Sequence, residues 1–296
     1  MTASVGSVRR IALLDGPEAG QEALAVSTGG GLSFWALLGR GLDIGPLWWR
    51  GEPVDWQHPA GIVAPQFVDR QGDGGRGVER GLGGMLVTCG LDHVRQPSGG
   101  YPLHGHHPFT PARLLACGER DGVLVVEGET VTFHLSRGGF RLRRRIEAPV
   151  GGVSVRVLDT VTNIGFETCE LHLLYHWNLG PAWSGDAVLQ VNGVAWEGPA
   201  GDAPEIVCRA SGSAKRSDVT LDRATDGLSL RFENMGLPWL QVWRNPRLDV
   251  LAVEPCTSER RSDGRSGSGR KLVAGEAAET FQELSFQSRP PHRSDA

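Results

Sequence analysis

Four short polar clusters interrupt otherwise apolar stretches of this chain: Arg40–Gly41–Leu42–Asp43, Leu103–His104–Gly105–His106–His107, Tyr175–His176–Trp177–Asn178 and Val253–Glu254–Pro255. Each lies inside or at the end of an apolar run, where an unpaired polar group is costly. Two carry histidines, one a carboxylate, and one an arginine with an aspartate. Trp48, Trp49, Trp56, Trp177, Trp183, Trp239 and Trp243 lie in or near these stretches. A histidine and a glutamate converging in an aromatic-lined cleft point to acid–base chemistry on a polar ring, most simply a sugar.

Taken singly, each cluster has a bland reading beside a functional one. His176 lies within LHLLYHWNLG, residues 171–180; in a strand His172, Leu174, His176 and Asn178 share one face. An imidazole there can protonate a ring oxygen near neutral pH, or it can be a hydrogen-bonded structural histidine. Glu254 ends the apolar run Val250–Val253 and precedes Pro255, which favours an extended strand end. Burial at that position would raise its pKa and make it a better base; the alternative is a carboxylate facing water. His104 and His106 form a His-x-His pair that suggests a metal, but Thr110 and Pro111 stand where a cupin would offer its glutamate, and no regular ligand spacing follows. His104 before Gly105 reads better as a donor to a substrate hydroxyl. Arg40 and Asp43 either grip a hydroxylated ligand or pair with each other.

Strands must position these groups. Gly (42 residues) and Pro (18) punctuate the chain at short intervals, as in a protein of many strands joined by turns. The patterning predicts strands over 123–127 and 130–135 with a turn at Gly128, then over 140–147, 153–162, 170–177, 228–233, 239–243, 250–254 and 280–286. Residues 170–177 read as a strand buried on both faces. A short helical piece is expected only around Gly20–Ala25. The glycine-rich segments 71–77 and 258–270 read as mobile surface loops. No linker divides the 296 residues, so one domain over 1–287 is expected, with a disordered tail over 288–296.

The bulk numbers narrow the function further. Net charge is −4, so no general field attracts nucleic acid. The basic run Arg141–Arg145 alternates with Phe140, Leu142 and Ile146, and is in part the solvent face of a strand. Cys89, Cys117, Cys169, Cys208 and Cys256 are odd in number and far apart, which predicts neither a disulfide framework nor a zinc knuckle. There is no phosphate loop, no nucleophile elbow and no dinucleotide fingerprint in its required context. Residues 1–10 lack a signal-like apolar run and no stretch reaches about 18 apolar residues, so a cytoplasmic chain with no membrane partner is expected.

Five stretches together resemble the galactose-mutarotase-like superfamily, and more closely its aldose 1-epimerase-related group DUF4432. They are RGLDI at 40–44, GLGGMLVTCGLD at 81–92, PLHG at 102–105, LLYHWNLG at 173–180 and VEPCT at 253–257. The resemblance implies an all-β supersandwich with a sugar-binding cleft across one sheet. It implies that Glu254 takes the proton from the anomeric hydroxyl, that His176 protonates the ring oxygen and that His104 binds substrate. In mutarotases the acid stands four residues before the Asn of its motif, whereas His176 stands two before Asn178; His172 therefore stays a rival acid. His106 stands where the closer group is expected to carry an arginine.

The resulting expectation is an aldose 1-epimerase acting without metal or nucleotide cofactor, as a monomer or homodimer. Glu254 and His176 are its catalytic pair. His104, Arg40, Asp43, Asn178, Trp177, His106 and His172 are its substrate-binding candidates. Two alternatives stay open. One is a lyase or isomerase of an oxidised sugar, with His104 and His106 as metal ligands; the other is a non-catalytic sugar-binding protein.

Overall fold

The computed structural model describes residues 5–185, 188–198 and 202–288. Twenty strands lie among them. In chain order these are β1 (Ser7–Ala12), β2 (Glu22–Ser27), β3 (Leu32–Leu37), β4 (Asp43–Trp49), β5 (Glu52–Pro53), β6 (Leu86–Leu91), β7 (Arg113–Arg120), β8 (Val123–His134), β9 (Gly138–Pro149) and β10 (Ser154–Asn163). There follow β11 (Cys169–Leu179), β12 (Val188–Val191), β13 (Val194–Ala195), β14 (Glu205–Ala210), β15 (Arg216–Asp222), β16 (Asp226–Glu233), β17 (Trp239–Asn245), β18 (Val250–Cys256), β19 (Arg270–Leu272) and β20 (Ala277–Ser288). They form a five-stranded sheet β1 to β5, a nine-stranded sheet β13-β12-β15-β16-β20-β10-β9-β8-β7, and a six-stranded sheet β14-β17-β18-β11-β19 with β6 also paired to β11. One hydrophobic core runs through all three and holds Phe34, Ile146, Val157, Leu173 and Phe286.

Two expectations are corrected. Residues 20–25 form no helix; they enter β2, whose Ala23, Leu24 and Val26 are buried between β1 and β3. Gly128 is no turn, because β8 runs unbroken through it. A side chain there would meet Leu42 at 2.5 Å and the Arg113 carbonyl at 2.9 Å, so glycine is required for close packing. The tail expected to be disordered begins inside β20 at Ser288, and its remaining residues lie outside the described ones.

Arg141, Arg143 and Arg145 face outward along β9 and pair with Glu129 and Glu147. Arg144 points the other way, into the core. Its Nε and Nη2 donate to Asp159 at 2.9 and 2.7 Å, Nη1 donates to Asp43 at 2.8 Å, and Nη2 also reaches Thr88 at 2.7 Å. Tyr175 donates to the same Asp159 at 2.7 Å. This satisfied cluster ties the three sheets together across the interior. Burial opposes the Arg144 charge, but Asp159 and Asp43 outweigh it and raise its pKa.

The six-stranded sheet matters most for the site, since its two faces differ. Leu173, Tyr175 and Trp177 of β11, Val253 of β18 and Val242 of β17 enter the main core. Alternation sends His176 and Asn178, Glu254, Gln241 and Trp243 to the opposite face. Beside them Val87, Cys89, Leu174 and Cys256 form a small separate apolar cluster.

Candidate active site

His176, Glu254 and Gln241 form a row across β11, β18 and β17. Leu174 stands opposite Cys256 and Trp177 opposite Val253, a register that sets His176 against Glu254. Gln241 is the direct partner of Glu254 on the other side. Three successive strands thus deliver three polar side chains to one spot, all of them buried.

Their hydrogen bonds fix how protons are held. Asn178 Nδ2 donates to the Gly84 carbonyl at 3.0 Å, so its Oδ1 faces His176 Nδ1 in a short contact. That oxygen only accepts, so His176 carries a proton on Nδ1. Its Nε2 lies 3.3 Å from Glu254 Oε1. The contact is close enough for an ion pair but is off the hydrogen-bond line, and Oε1 has no hydrogen-bond partner among the described residues. Gln241 Nε2 donates to Glu254 Oε2 at 2.5 Å. Burial pushes the Glu254 carboxyl above its ordinary range, against the pull of His176, Gln241, Arg95 and Arg260.

Arg95 orients Gln241. Its Nε donates to Gln241 Oε1 at 3.0 Å, which leaves the amide nitrogen facing Glu254. The rest of the guanidinium is held by Ser258 Oγ and Ser266 Oγ, each at 3.1 Å, and by the Ser258 carbonyl at 2.8 Å. The segment 258–270, read from sequence as a surface loop, therefore braces the site, and its Arg260 lines the cavity.

His104 completes the wall. Its ring centroid is 5.8 Å from that of His176, and Trp243 approaches His176 at 5.6 Å from another side. Burial, with help from His176 and Arg95, drives His104 well below the ordinary histidine range, so it is neutral at pH 7. Arg95 N–H points at its Nδ1 at 3.4 Å, which leaves the proton on Nε2 as a donor. His104 holds a left-handed φ of +62°, uncommon for a residue with a side chain and a form of strain that clusters at functional sites. His104, His176, Gln241, Trp243 and Glu254 line a cavity of 140 Å³.

The other candidates lie elsewhere. Trp177 is on the core face of β11, where its Nε1 donates to Gln282 at 2.7 Å, so it does not line this cavity. Asp43 belongs to the Arg144 cluster. Arg40 is buried with its guanidinium 4.9 Å over the Phe109 ring and without a hydrogen-bond partner among the described residues; it does not pair with Asp43. His106 and His172 line a different cavity. His104 and His106, joined by one glycine, thus face different spaces, and no group of three potential metal ligands gathers among the described residues.

Sequence reading missed Gln241 and Arg95. Gln241 had a signal, since Trp239, Gln241 and Trp243 alternate on one strand face. Arg95 had none: it sits in a loop, and its partners lie more than a hundred residues away.

Comparison with known proteins agrees with this architecture. Among solved structures, a candidate aldose 1-epimerase from Klebsiella pneumoniae subsp. pneumoniae is similar with a TM-score of 0.82 at 19% identity, covering 96% of this chain and 84% of that one. A galactose mutarotase-like protein from Clostridium acetobutylicum gives a TM-score of 0.69 at 11% identity, over 96% and 99% of the two chains. A galactose 1-epimerase from Lactobacillus acidophilus gives 0.59 at 12%, over 96% and 99%. At these identities the likeness is one of fold, a mutarotase-like β-sandwich. No curated protein sequence matches. The model of a domain of unknown function, DUF4432, matches residues 18–205, more than half of the chain. The chain therefore belongs to the DUF4432 family.

Proposed function

We propose that this protein is a carbohydrate isomerase, an aldose 1-epimerase that interconverts the anomers of a sugar. The observation that carries the reading is the buried His176–Glu254 pair, 3.3 Å apart, beside the neutral donor His104. His176 as imidazolium gives its Nε2 proton to the ring oxygen. Glu254 takes the proton from the anomeric hydroxyl, the bond between C1 and the ring oxygen breaks, and an open-chain aldehyde forms. Rotation about the C1–C2 bond presents the other carbonyl face. Closure returns the ring-oxygen proton to His176 and the Glu254 proton to the new anomeric hydroxyl, so nothing is consumed.

The supporting roles follow from the same geometry. Asn178 keeps His176 protonated on Nδ1, so that Nε2 is the nitrogen that exchanges protons. Gln241, oriented by Arg95, holds the far oxygen of Glu254 and leaves Oε1 for the substrate. His104 donates to a hydroxyl, and Trp243 offers an apolar face for the ring. Anomer exchange measured by NMR, across neutral, acidic, amino and phosphorylated sugars, tests this reading. Exchange faster than the uncatalysed rate on at least one sugar is expected; none on any would overturn it.

A further inference from the structure

A second cavity, of 530 Å³, opens beside the start of β11 and is walled by the β8–β9 hairpin and by the loop that carries His106. It shares no lining residue with the cavity of His104 and Glu254. Its volume is in the range of small-molecule sites.

His106 is fixed in it from three directions. Asp92 Oδ2 is 2.6 Å from His106 Nδ1, and Asp92 Oδ1 accepts the His106 backbone N–H at 3.1 Å. Arg70 Nη1 donates to the His106 carbonyl at 3.0 Å and to the Pro108 carbonyl at 2.9 Å. A carboxylate only accepts, so His106 carries a proton on Nδ1, and its Nε2 is left for a partner other than Asp92. His172 lies on the same wall. Its Nε2 is 3.5 Å from Glu170 Oε2, and its Nδ1 has no hydrogen-bond partner among the described residues.

The remaining wall narrows the chemistry. It carries two carboxylates, Asp92 and Glu170, and two guanidiniums, Arg70 and Arg137, so its formal charges balance. Phe133, by contrast, lines the cavity while 48% exposed, a large apolar surface for a side chain on a strand. The cavity thus joins two imidazoles beside carboxylates to an aromatic face, with charges of both signs in balance. That combination suits a ligand with hydroxyl hydrogens on one side and C–H bonds on another.

We propose that this cavity is a second binding site, for an uncharged polyol or sugar ring, separate from the site of His176 and Glu254. His106 and His172 hydrogen-bond to its hydroxyls and Phe133 covers its apolar face. The inference does not rest on the anomerase reading, because it concerns residues that mechanism does not use.

Long-range ¹H–¹⁵N correlation spectra of the histidine rings in the full chain test it. The probes are glucose, galactose, maltose and myo-inositol, each titrated to saturation, and zinc chloride separately. With at least one sugar or polyol, saturable shifts of the His106 and His172 ring nitrogens are expected. They should persist in Glu254→Gln and weaken at least tenfold in Phe133→Ser, an exposed position chosen so that folding is retained. Absence of these shifts with every sugar and polyol would overturn the proposal. So would their loss in Glu254→Gln, or a response to zinc alone.

Discussion

Two buried polar clusters lie back to back across β11, and they are built on opposite principles. On the core side, Arg144 meets Asp43, Asp159 and Thr88, and Tyr175 closes on Asp159. On the other side, His176 meets Glu254, which keeps one oxygen without a hydrogen bond. Tyr175 and His176 are neighbours in sequence, so a single step along one strand passes from one cluster to the other. The Arg144 cluster is closed, with its donors and acceptors paired; the His176 cluster is open and lines a cavity. A closed network fixes a fold, because each member would be costly to leave alone. An open one holds a reactive group ready, at some expense of stability.

The largest expected effect falls on the open side. His176→Gln should lower anomer-exchange turnover by roughly 10²–10⁴-fold, with the midpoint of chemical denaturation changing little. A comparable fall in stability would mean that the pair is structural. On the closed side the pattern inverts. Arg144→Ala leaves two carboxylates buried without their partner and should cost about 3–5 kcal/mol in denaturant unfolding. A loss below about 1 kcal/mol would show that the cluster is wetter than its burial implies.

Asp55 gives an intermediate case, since Oδ1 accepts from Leu47 N–H at 2.9 Å and Oδ2 has no partner among the described residues. Burial raises its pKa from 3.8 to about 6, against the pull of that hydrogen bond. The folded state therefore binds the proton more tightly than the unfolded chain. The stabilisation is complete below the unfolded pKa and is lost as pH rises through about 6. At about 1.36 kcal/mol per unit, it amounts to roughly 3 kcal/mol. Asp55→Asn should remove this slope from stability measured between about pH 4 and 7. The smallest effect is expected at Gln241. Its hydrogen bond lowers the Glu254 pKa, so Gln241→Leu should move the acidic limb of the pH–rate profile upward, with a smaller loss of rate than His176→Gln gives.

The same contrast explains what the sequence makes legible. Strand alternation and the apolar setting of LHLLYHWNLG and VEPCT picked out His176 and Glu254, and the His-Gly of PLHG picked out His104; the three meet in one cavity. Alternation also separates His176 from Trp177, a substrate-binding candidate by its aromatic character; its strand face sends it into the core. The closed cluster was not legible. Alternation with Phe140, Leu142 and Ile146 puts Arg144 on the apolar face, but its link to Asp43 spans 101 residues and no local pattern names that partner. Nor did composition reveal that Gly128 is held by the approach of Leu42 rather than by a turn. Local pattern tells which face a residue occupies, but the partner across that face comes from another part of the chain.

The central claim is that Glu254 removes a proton from substrate, and that it does so without holding the fold together. Its most direct test is anomer exchange by NMR on the best sugar substrate, with wild-type and Glu254→Gln proteins compared at matched concentration and stability. The account expects catalysed exchange in the wild type and a rate roughly 10²–10⁴-fold lower in a variant that stays folded. Equal rates in the two proteins would contradict it.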